Sequence, residues 1–349
     1  MRLKGVVYDV GRAMGPLSVN WRPDYTPALM RRELDIIQTD LHANAVRLGS
    51  CDPRRLLDAA DYAASIGLEV WMGPELWNAT PQRTLRFVTD TAARAEPLFQ
   101  RYADQLTFCV GTELTFLMRG IIPGRNHAQR TRAPNIRQFM ASDQAALRRF
   151  LAELAASVRR VYGGPITYGA LPIEHVDWDD FDSVGVNYYR QGVSDDQYVT
   201  KVRQLQAIGK PVVISELGFA SSSDADNPEH LGTLNIRPVS LVPGIGKLIR
   251  PRVRTVHSRD EHAQARLLLH QLQLLEGAGV DGAFVMCFSF PLAPYSDDPR
   301  RDVDATSLSI VRPLRGAQHG TTYPDMAWEP KEAFHAIADY YASTNTERT

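Results

Sequence analysis

The sequence predicts an α/β fold, a single (β/α)8 TIM barrel, and three observations support this prediction. Eight short apolar runs alternate with amphipathic stretches along the 349 residues. Most of the runs are apolar throughout, as is typical of parallel strands buried on both faces. Eight strand–helix units match the size of a closed barrel. A doubly wound open sheet is the alternative, but no Gly-x-Gly-x-x-Gly motif follows the first run to favour it.

The predicted strands are the apolar runs themselves, taken in chain order. They cover residues 3–10, 43–49, 68–72, 106–111, 166–171, 183–189, 211–215 and 282–288. Amphipathic stretches between them predict helices. Residues 26–41 and 53–66 place leucine, isoleucine and alanine near helical spacing, and residues 143–161 and 261–278 are long and strongly helical in pattern. This alternation implies parallel βαβ units.

Three of the predicted loops are long, and they follow strands 4, 7 and 8. They cover residues 118–135, 219–256 and 291–328. Loops of this length are uncommon unless they are functional, and barrel enzymes carry their chemistry at the carboxyl ends of the strands. We therefore expect the functional site at that face. The barrel domain is predicted to span residues 1–342, with residues 343–349 forming a disordered tail.

Composition limits the classes of partner. The chain has 39 basic and 40 acidic residues, without the basic excess that nucleic-acid binding usually requires. No apolar stretch approaches the roughly 20 residues of a membrane helix. The amino terminus enters a strand-like run at once, without a leader pattern, so a cytoplasmic location is predicted. The histidines and cysteines form no tight ligand set, so neither a metal nor another cofactor is predicted. The oligomeric state stays open.

Two glutamates end the fourth and seventh predicted strands. Glu113 follows the run Leu-Thr-Phe-Cys-Val-Gly-Thr, and Glu216 follows Pro-Val-Val-Ile-Ser. A carboxylate near a core is costly unless a partner compensates it, so two of them at strand ends indicate a shared pocket. Paired carboxyl groups are the usual means of cleaving a glycosidic bond. The alternative is that one or both are ordinary ion-pair carboxylates at strand ends.

Further candidates for substrate contact lie at the ends of the other predicted strands. They are Tyr8, Asp9, Glu75, Trp77, Glu174, Asn187 and Phe288. Trp77 would supply an aromatic face beside the hydrogen-bonding group of Glu75, a combination that sugar sites favour. Asp9 is either a ligand for substrate hydroxyls or a turn-capping residue. Phe288 either stacks on a substrate or packs in the core.

Two loops are rich in basic residues. Arg119, Arg125, Arg130 and Arg132 lie in the loop after strand 4, and Lys247, Arg250, Arg252 and Arg254 lie in the loop after strand 7. Both loops would rim the same mouth. One interpretation is an acidic or phosphorylated sugar substrate, and the other is a solvated rim balanced by nearby aspartates.

The glutamates at strand ends 4 and 7 resemble the mark of the clan-A glycoside hydrolases. The segment Asp-Ser-Val-Gly-Val-Asn-Tyr-Tyr, ending at Tyr189, resembles strand 6 of that clan, where the tyrosine hydrogen-bonds the nucleophile. Asn-Ala-Val-Arg-Leu, which contains Arg47, resembles strand 2, where the arginine supports the nucleophile. The resemblance implies that Glu113 is the general acid and then the general base, with a raised pKa, and that Glu216 is the nucleophile. The reaction would proceed by double displacement with net retention.

Thr112 departs from the clan pattern, which usually has an asparagine before the strand-4 glutamate to bind the sugar 2-hydroxyl. Threonine is shorter and can donate one hydrogen bond. This departure leaves three functions open. The first is a retaining glycosidase acting on a small intracellular glycoside or oligosaccharide. The second is non-hydrolytic acid–base chemistry in specialised metabolism with the same carboxylate pair, and the third is a non-catalytic carbohydrate-binding protein.

The whole chain also resembles a family of uncharacterised barrel proteins often labelled "abortive infection protein". The matching pieces include Lys-Gly-Val-Val-Tyr-Asp at residues 4–9, Arg-Gly-Ile-Ile-Pro-Gly at 119–124 and His-Gly-Thr-Thr-Tyr-Pro-Asp-Met at 319–326. The label itself specifies no mechanism.

Overall fold

A closed barrel of eight parallel strands forms the centre of the molecule. The computed structural model describes residues 1–14, 19–132, 136–142, 144–190, 192–227, 252–316 and 318–345. The strands are β1 (Leu3–Gly11), β2 (Ala45–Ser50), β3 (Glu69–Pro74), β4 (Leu106–Thr112), β5 (Ile166–Ala170), β6 (Val184–Asn187), β7 (Val212–Leu217) and β8 (Gly282–Val285). Each strand pairs with its neighbours in the chain, and β1 closes the sheet by pairing with both β2 and β8. The predicted fold class is confirmed.

Seven long helices surround the described part of the barrel. They are α1 (Pro27–Thr39), α2 (Pro53–Ser65), α3 (Pro81–Arg101), α4 (Ala145–Arg159), α5 (Asp195–Gln206), α6 (Glu261–Ala278) and α7 (Glu332–Asn345). The first three begin with the same device, a threonine or aspartate cap followed by proline, which satisfies free backbone N–H groups. Between β5 and β6 a single 3-10 turn, Trp178–Asp180, takes the place of a helix. Among the described residues, no helix combines the length and apolarity needed to span a bilayer.

The loops on the carboxyl side of the strands carry several short elements. Helical turns Leu114–Leu117, His127–Arg130 and Ile136–Met140 follow β4. A two-residue antiparallel pair, Ala13–Met14 with Val19–Asn20, follows β1, and Val311–Pro313 pairs with Trp328–Pro330 after β8. Residues 228–251 of the loop after β7 lie outside the described residues.

Most predicted boundaries lie within two residues of those in the structure, and two other differences concern the eighth strand and the tail. β8 ends at Val285, three residues before the predicted end, because the chain then turns and Cys287 hydrogen-bonds through its N–H to Leu308 of the following loop. The helix α7 continues to Asn345, so residues 343–345 are helical rather than part of a disordered tail. Residues 346–349 of the predicted tail lie outside the described residues.

A buried ion-pair network joins the loops after β7 and β8 to the start of α7. Lys331 Nζ lies 2.9 Å from Asp304 Oδ1, and both side chains are fully buried. Arg259 binds the other oxygen of Asp304 at 2.8 Å. Ser307 and Ser309 donate hydrogen bonds to Asp304 at 3.0 and 3.2 Å. Because these contacts replace the water that the charges lose, the network fixes the loops around one face of the barrel.

Replacing Asp304 by alanine is expected to lower the free energy of unfolding by about 3–5 kcal/mol, because Lys331 would stay buried without its carboxylate. The matched control is Asp325→Ala. Asp325 pairs with Arg32 at a similar distance, 2.8 Å, but both side chains are exposed. Removal of the Asp325 carboxylate should therefore lower the free energy of unfolding by less than about 1 kcal/mol. Thermal and urea unfolding of the two variants measures the difference. Equal losses would show that the network is as weak as a surface pair.

Candidate active site

The ends of β4, β6 and β7 bring the two glutamates to one mouth of the barrel. Glu113 follows the last residue of β4, and its N–H donates to the carbonyl of Gly169 on β5 at 2.9 Å. Glu216 lies in β7, where it pairs in register with Asn187 of β6. Glu113 has a φ of 45°, in the left-handed region that non-glycine residues rarely adopt. Such backbone strain is concentrated at functional sites.

Glu216 is buried and surrounded by groups that favour its ionised form. Burial alone would raise its pKa, but the guanidinium charges of Arg47 and Arg12 and a hydrogen bond from Tyr189 outweigh burial, so the pKa of Glu216 lies below its usual value. Arg47 Nη1 donates to Glu216 Oε1, and the Tyr189 hydroxyl donates to Oε2 at 2.8 Å. The structure thus gives Arg47 and Tyr189 the contacts that the sequence resemblance implied.

Glu113 has the opposite environment. Burial and the negative charge of Glu216 raise the pKa of Glu113 to about 8, while a hydrogen bond from Asn187 Nδ2 to Oε1, at 2.9 Å, partly opposes the rise. At neutral pH Glu113 is therefore mainly protonated and Glu216 is ionised. Two carboxyl groups whose surroundings separate their pKa values are suited to different roles, one as an acid and one as a nucleophile.

Asn187 is held in place by two other side-chain contacts. Its Nδ2 also donates to Thr112 Oγ1 at 3.1 Å, and Ser215 Oγ donates to its Oδ1 at 2.7 Å. Thr112 Oγ1 in turn donates to the Gly169 carbonyl at 3.3 Å. Because the single hydroxyl proton of Thr112 is directed to Gly169, Thr112 supports Asn187 and has no proton left to donate to a substrate. Ser215 was not predicted, since a serine inside an apolar strand carries no distinctive signal.

Glu174 anchors the turn that follows Glu113. It accepts hydrogen bonds from the N–H groups of Thr115 and Leu171 at 2.9 and 2.8 Å, and from the Tyr168 hydroxyl at 2.9 Å. The same hydroxyl accepts from the N–H of Leu114 at 2.8 Å. Burial raises the pKa of Glu174. Glu174 therefore positions the backbone beside Glu113, and both of its oxygens are already occupied by the protein.

Asp9 and Glu75 meet at a residue that was not predicted, Arg12. Arg12 Nη2 lies 2.8 Å from Glu75 Oε1 and 3.9 Å from Glu216 Oε1, and its Nε lies 3.5 Å from Asp9 Oδ2. Asp9 Oδ1 accepts from the N–H groups of Gly11 and Arg12 at 2.8 and 3.0 Å, so it caps a turn. Arg12 follows the strand by one residue, a position that carries no recognisable motif.

Trp77 stands at the mouth with other aromatic residues. Its Nε1 donates to Glu75 Oε2 at 3.4 Å, and its ring meets the edge of Trp21 with centroids 5.5 Å apart. Trp21 contacts Phe290 at 4.8 Å. Trp77 is half-buried, whereas Trp21 and Phe290 are buried behind it. The three rings form an aromatic wall beside the carboxylate of Glu75, which is an arrangement suited to a sugar ring.

Two predicted substrate contacts are corrected by the structure. The Tyr8 hydroxyl donates to Glu33 of α1 at 2.5 Å, and the ring is fully buried between barrel and helix. Phe288 is also fully buried, against Tyr8 at 6.0 Å and Trp328 at 5.2 Å. Because neighbouring residues on a strand point to opposite faces, Tyr8 faces outward where Asp9 faces the mouth. Neither ring reaches the site.

The basic loops are only partly described. Arg130 is buried in the loop after β4, where it donates to the carbonyl of Phe116 and to Asn78 Oδ1, both at 2.5 Å. Burial and the charge of Arg119 lower the pKa of Arg130 to about 10. Arg130 therefore holds its loop together rather than facing an anionic ligand. Lys247 and Arg250 lie outside the described residues.

Comparisons with known proteins agree on the fold. No protein-family model and no curated protein matches the chain. Among solved structures, a GH113 beta-1,4-mannanase aligns with 98% of this chain and 100% of its own at a TM-score of 0.57 and 16% identity. The GH113 beta-mannanase AaManA from Alicyclobacillus acidocaldarius aligns over 98% and 97%, with a TM-score of 0.54 and 18% identity. An FMN-binding beta-glucuronidase from Facaelibacterium prausnitzii L2-6 aligns over 98% of this chain and 44% of its own, at 0.58 and 15%.

At these identities the likeness establishes the fold, which is a barrel of the kind found in glycoside hydrolases. The resemblance to clan-A barrels is supported at that level. The narrower resemblance to proteins labelled "abortive infection protein" has no support from these comparisons. Within the part of the chain that the structure describes, no three histidine, cysteine, aspartate or glutamate side chains are grouped to hold a metal ion.

Proposed function

We propose that the protein is a retaining glycoside hydrolase in which Glu113 is the acid/base and Glu216 is the nucleophile. The observation that carries this proposal is the pair of opposed environments at one barrel mouth. The pKa of Glu113 is raised to about 8 by burial and by Glu216, whereas Arg47, Arg12 and Tyr189 keep Glu216 ionised. A retaining mechanism requires this combination of a proton donor and a carboxylate at neutral pH.

The reaction proceeds in two displacements. Glu113 protonates the glycosidic oxygen while a carboxylate oxygen of Glu216 attacks the anomeric carbon, which breaks the bond to the leaving group and forms a glycosyl–enzyme ester. Glu113, now ionised, then takes a proton from water as the water attacks the same carbon. The ester bond breaks, Glu216 is released as a carboxylate, and the product keeps the configuration of the substrate.

The charges around the two glutamates favour a small glycoside or oligosaccharide whose reacting sugar is uncharged. The guanidinium groups of Arg12 and Arg47 each contact carboxylates of the protein. An acidic sugar would meet the carboxylates of Asp9, Glu75 and Glu216, and like charges at close range in a buried site cost several kcal/mol. Sugar hydroxyl groups, in contrast, can donate to the oxygens of Glu75 beside the aromatic wall. Mannanases and a glucuronidase share this fold, so the fold alone does not select the sugar.

Fluorogenic glycosides test both parts of the proposal. We expect turnover of a neutral glycoside, such as a mannoside or glucoside or their oligosaccharides, and at least about 100-fold slower turnover of the matched glucuronide. A preference for the glucuronide would contradict the assignment of an uncharged sugar, while the proposal of a glycoside hydrolase would still hold. NMR of the first-formed product should show retained anomeric configuration; inversion would exclude Glu216 as a nucleophile. No turnover of any neutral or acidic glycoside would contradict the hydrolase itself.

Thr112 favours a second candidate, in which the same carboxyl pair carries out non-hydrolytic acid–base chemistry. In the clan, the residue at this position usually binds the sugar 2-hydroxyl. Here the proton of the Thr112 hydroxyl is directed to the carbonyl of Gly169. Another group must therefore recognise the substrate there. A purely binding role has less support, because recognition of a sugar requires no separation of the pKa values of Glu113 and Glu216. Turnover of a glycoside would support the retaining hydrolase against both the non-hydrolytic enzyme and the binding protein.

A further inference from the structure

We propose that Arg12 is a positioning residue for Glu216 in addition to Arg47 and Tyr189, that it is shared with Glu75, and that its guanidinium occupies the space that Gly49 leaves free. This inference rests on the proposed function for the role of Glu216 as nucleophile. It concerns a residue outside the resemblance to clan-A barrels, since neither the strand-end glutamates nor the segments around Arg47 and Tyr189 include it. The inference is supported by the contacts of Arg12 with three carboxylates and by the lack of a side chain at Gly49 of β2.

Gly49 makes room for the Arg12 guanidinium. A Cβ atom at residue 49 would lie 2.5 Å from Arg12 Nη2 and 2.6 Å from its Cζ, much closer than van der Waals contact. Gly49 pairs in register with Asp9 across β1 and β2. Asp9 also binds the backbone N–H of Arg12 at 3.0 Å. The position of the guanidinium is thus fixed both by a gap in β2 and by a capped turn after β1.

The contacts of Arg12 give it an electrostatic role at Glu216. Only 3% of its side chain is exposed, so its charge acts through a medium of low dielectric constant. Nη2 faces Glu75 Oε1 at 2.8 Å and Glu216 Oε1 at 3.9 Å. Arg12 therefore stabilises the ionised form of Glu216 together with Arg47, and it also shields Glu216 from the carboxylate of Glu75.

Other charged or titratable groups face Glu216 from the surrounding strands, and a test must separate Arg12 from them. They are Arg47 of β2, Tyr189 after β6, Glu113 after β4, Cys287 after β8 and Glu75 after β3. Arg12 lies between Glu75 and Glu216. Arg47 and Tyr189 touch Glu216 directly and favour its ionised form. Glu113 and Glu75 act in the opposite sense when they are ionised. Removal of Arg12 alone leaves all of these groups in place.

The direct test is the titration of Glu216 in Arg12→Met and in the double variant Arg12→Met/Glu75→Gln. Protein labelled with 13C at the glutamate side-chain carboxyl is titrated by NMR, and the resonance of Glu216 is the one that Glu216→Gln removes. We expect the pKa of Glu216 to rise by about one unit, a tenfold gain in proton affinity, in Arg12→Met relative to wild type and in the double variant relative to Glu75→Gln alone. This titration needs no substrate, so it tests the role of Arg12 even if glycoside turnover is never observed.

The double variant distinguishes positioning from packing. Glu75→Gln removes the carboxylate that Arg12→Met would leave unpaired, so the double variant should recover much of the melting temperature lost in the single variant. If Arg12 acts on Glu216, the pKa of Glu216 is higher in the double variant than in Glu75→Gln alone, which also lacks the Glu75 charge. A pKa equal to that of Glu75→Gln alone would show that Arg12 serves Glu75 alone, and the proposal would be wrong.

Two glycine variants give a second route that leaves Arg12 itself intact. Gly49→Ala should displace the guanidinium and raise the pKa of Glu216 as Arg12→Met does. Gly73→Ala, at the residue paired with Gly49 on β3, is the matched control, because its Cβ would meet nothing closer than 3.4 Å. We expect Gly73→Ala to titrate as wild type. If Glu216 titrated identically in the two glycine variants, the proposed position of the Arg12 guanidinium beside Gly49 would be contradicted.

Discussion

Replacing Glu216 by alanine is expected to lower kcat on the best neutral glycoside at least about 10⁴-fold, the scale of loss that follows removal of a catalytic nucleophile. The physical reason is that no other described carboxylate has the contacts with Arg47 and Tyr189 that hold Glu216 ionised and oriented. The measurement is steady-state kinetics with a fluorogenic substrate, beside circular dichroism and the melting temperature.

The control for this prediction is Glu216→Gln. Glutamine keeps the size of the side chain, its one carbonyl oxygen can still accept from Arg47, and its amide N–H can donate to the Tyr189 hydroxyl oxygen, so the fold should be preserved while turnover stays lost. Sodium azide should partly restore turnover of an activated glycoside in Glu216→Ala, because the small anion can attack the anomeric carbon from the space left by the carboxylate. The rescued product should be a glycosyl azide of inverted configuration. Full activity of Glu216→Gln would contradict the nucleophile assignment.

The fold was predictable because its signal is distributed along the chain. Eight apolar runs and their alternation with amphipathic stretches each reflect burial on both faces of a parallel sheet, and errors at single boundaries do not change the result. The two strand-end glutamates were predictable for a related reason. A carboxylate at the end of an apolar strand contradicts the surrounding pattern, and such conflicts are concentrated at functional sites. Glu113 and Glu216 indeed lie at one mouth.

The remaining site residues depend on geometry that a linear pattern does not contain. Tyr8 and Asp9 are neighbours in sequence, but the strand turns them to opposite faces, and only Asp9 reaches the mouth. Arg12 acquires its role from a gap at Gly49, a residue 37 positions away in sequence and adjacent only in the folded sheet. Thr112 could be recognised as a departure from the clan pattern, but its contact with Asn187 arises only in the folded barrel, where β4 and β6 come together.

The pH dependence of turnover follows from the two carboxyl groups. Catalysis requires protonated Glu113, whose pKa is raised to about 8 by burial and by Glu216, so activity should persist to about pH 8 and fall as the pH rises through that value. Catalysis also requires ionised Glu216, whose pKa lies below its usual value because Arg47, Arg12 and Tyr189 outweigh burial. The acid limb should therefore lie below the ordinary carboxyl range. The profile of kcat/KM against pH measures both limbs.

Replacing Glu113 by alanine should remove the alkaline limb of the profile of kcat/KM against pH. The size of the loss in activity should also depend on the leaving group of the substrate. A glycoside with a basic leaving group needs the proton of Glu113, and its kcat/KM should fall about 10²–10⁴-fold. A dinitrophenyl glycoside leaves without protonation, so its kcat/KM should change little while its kcat falls, because water then attacks the ester without a base. Glu153→Ala, an exposed carboxylate on α4, should keep the wild-type profile. Equal losses on both substrates, with the alkaline limb retained, would assign the proton to a group other than Glu113.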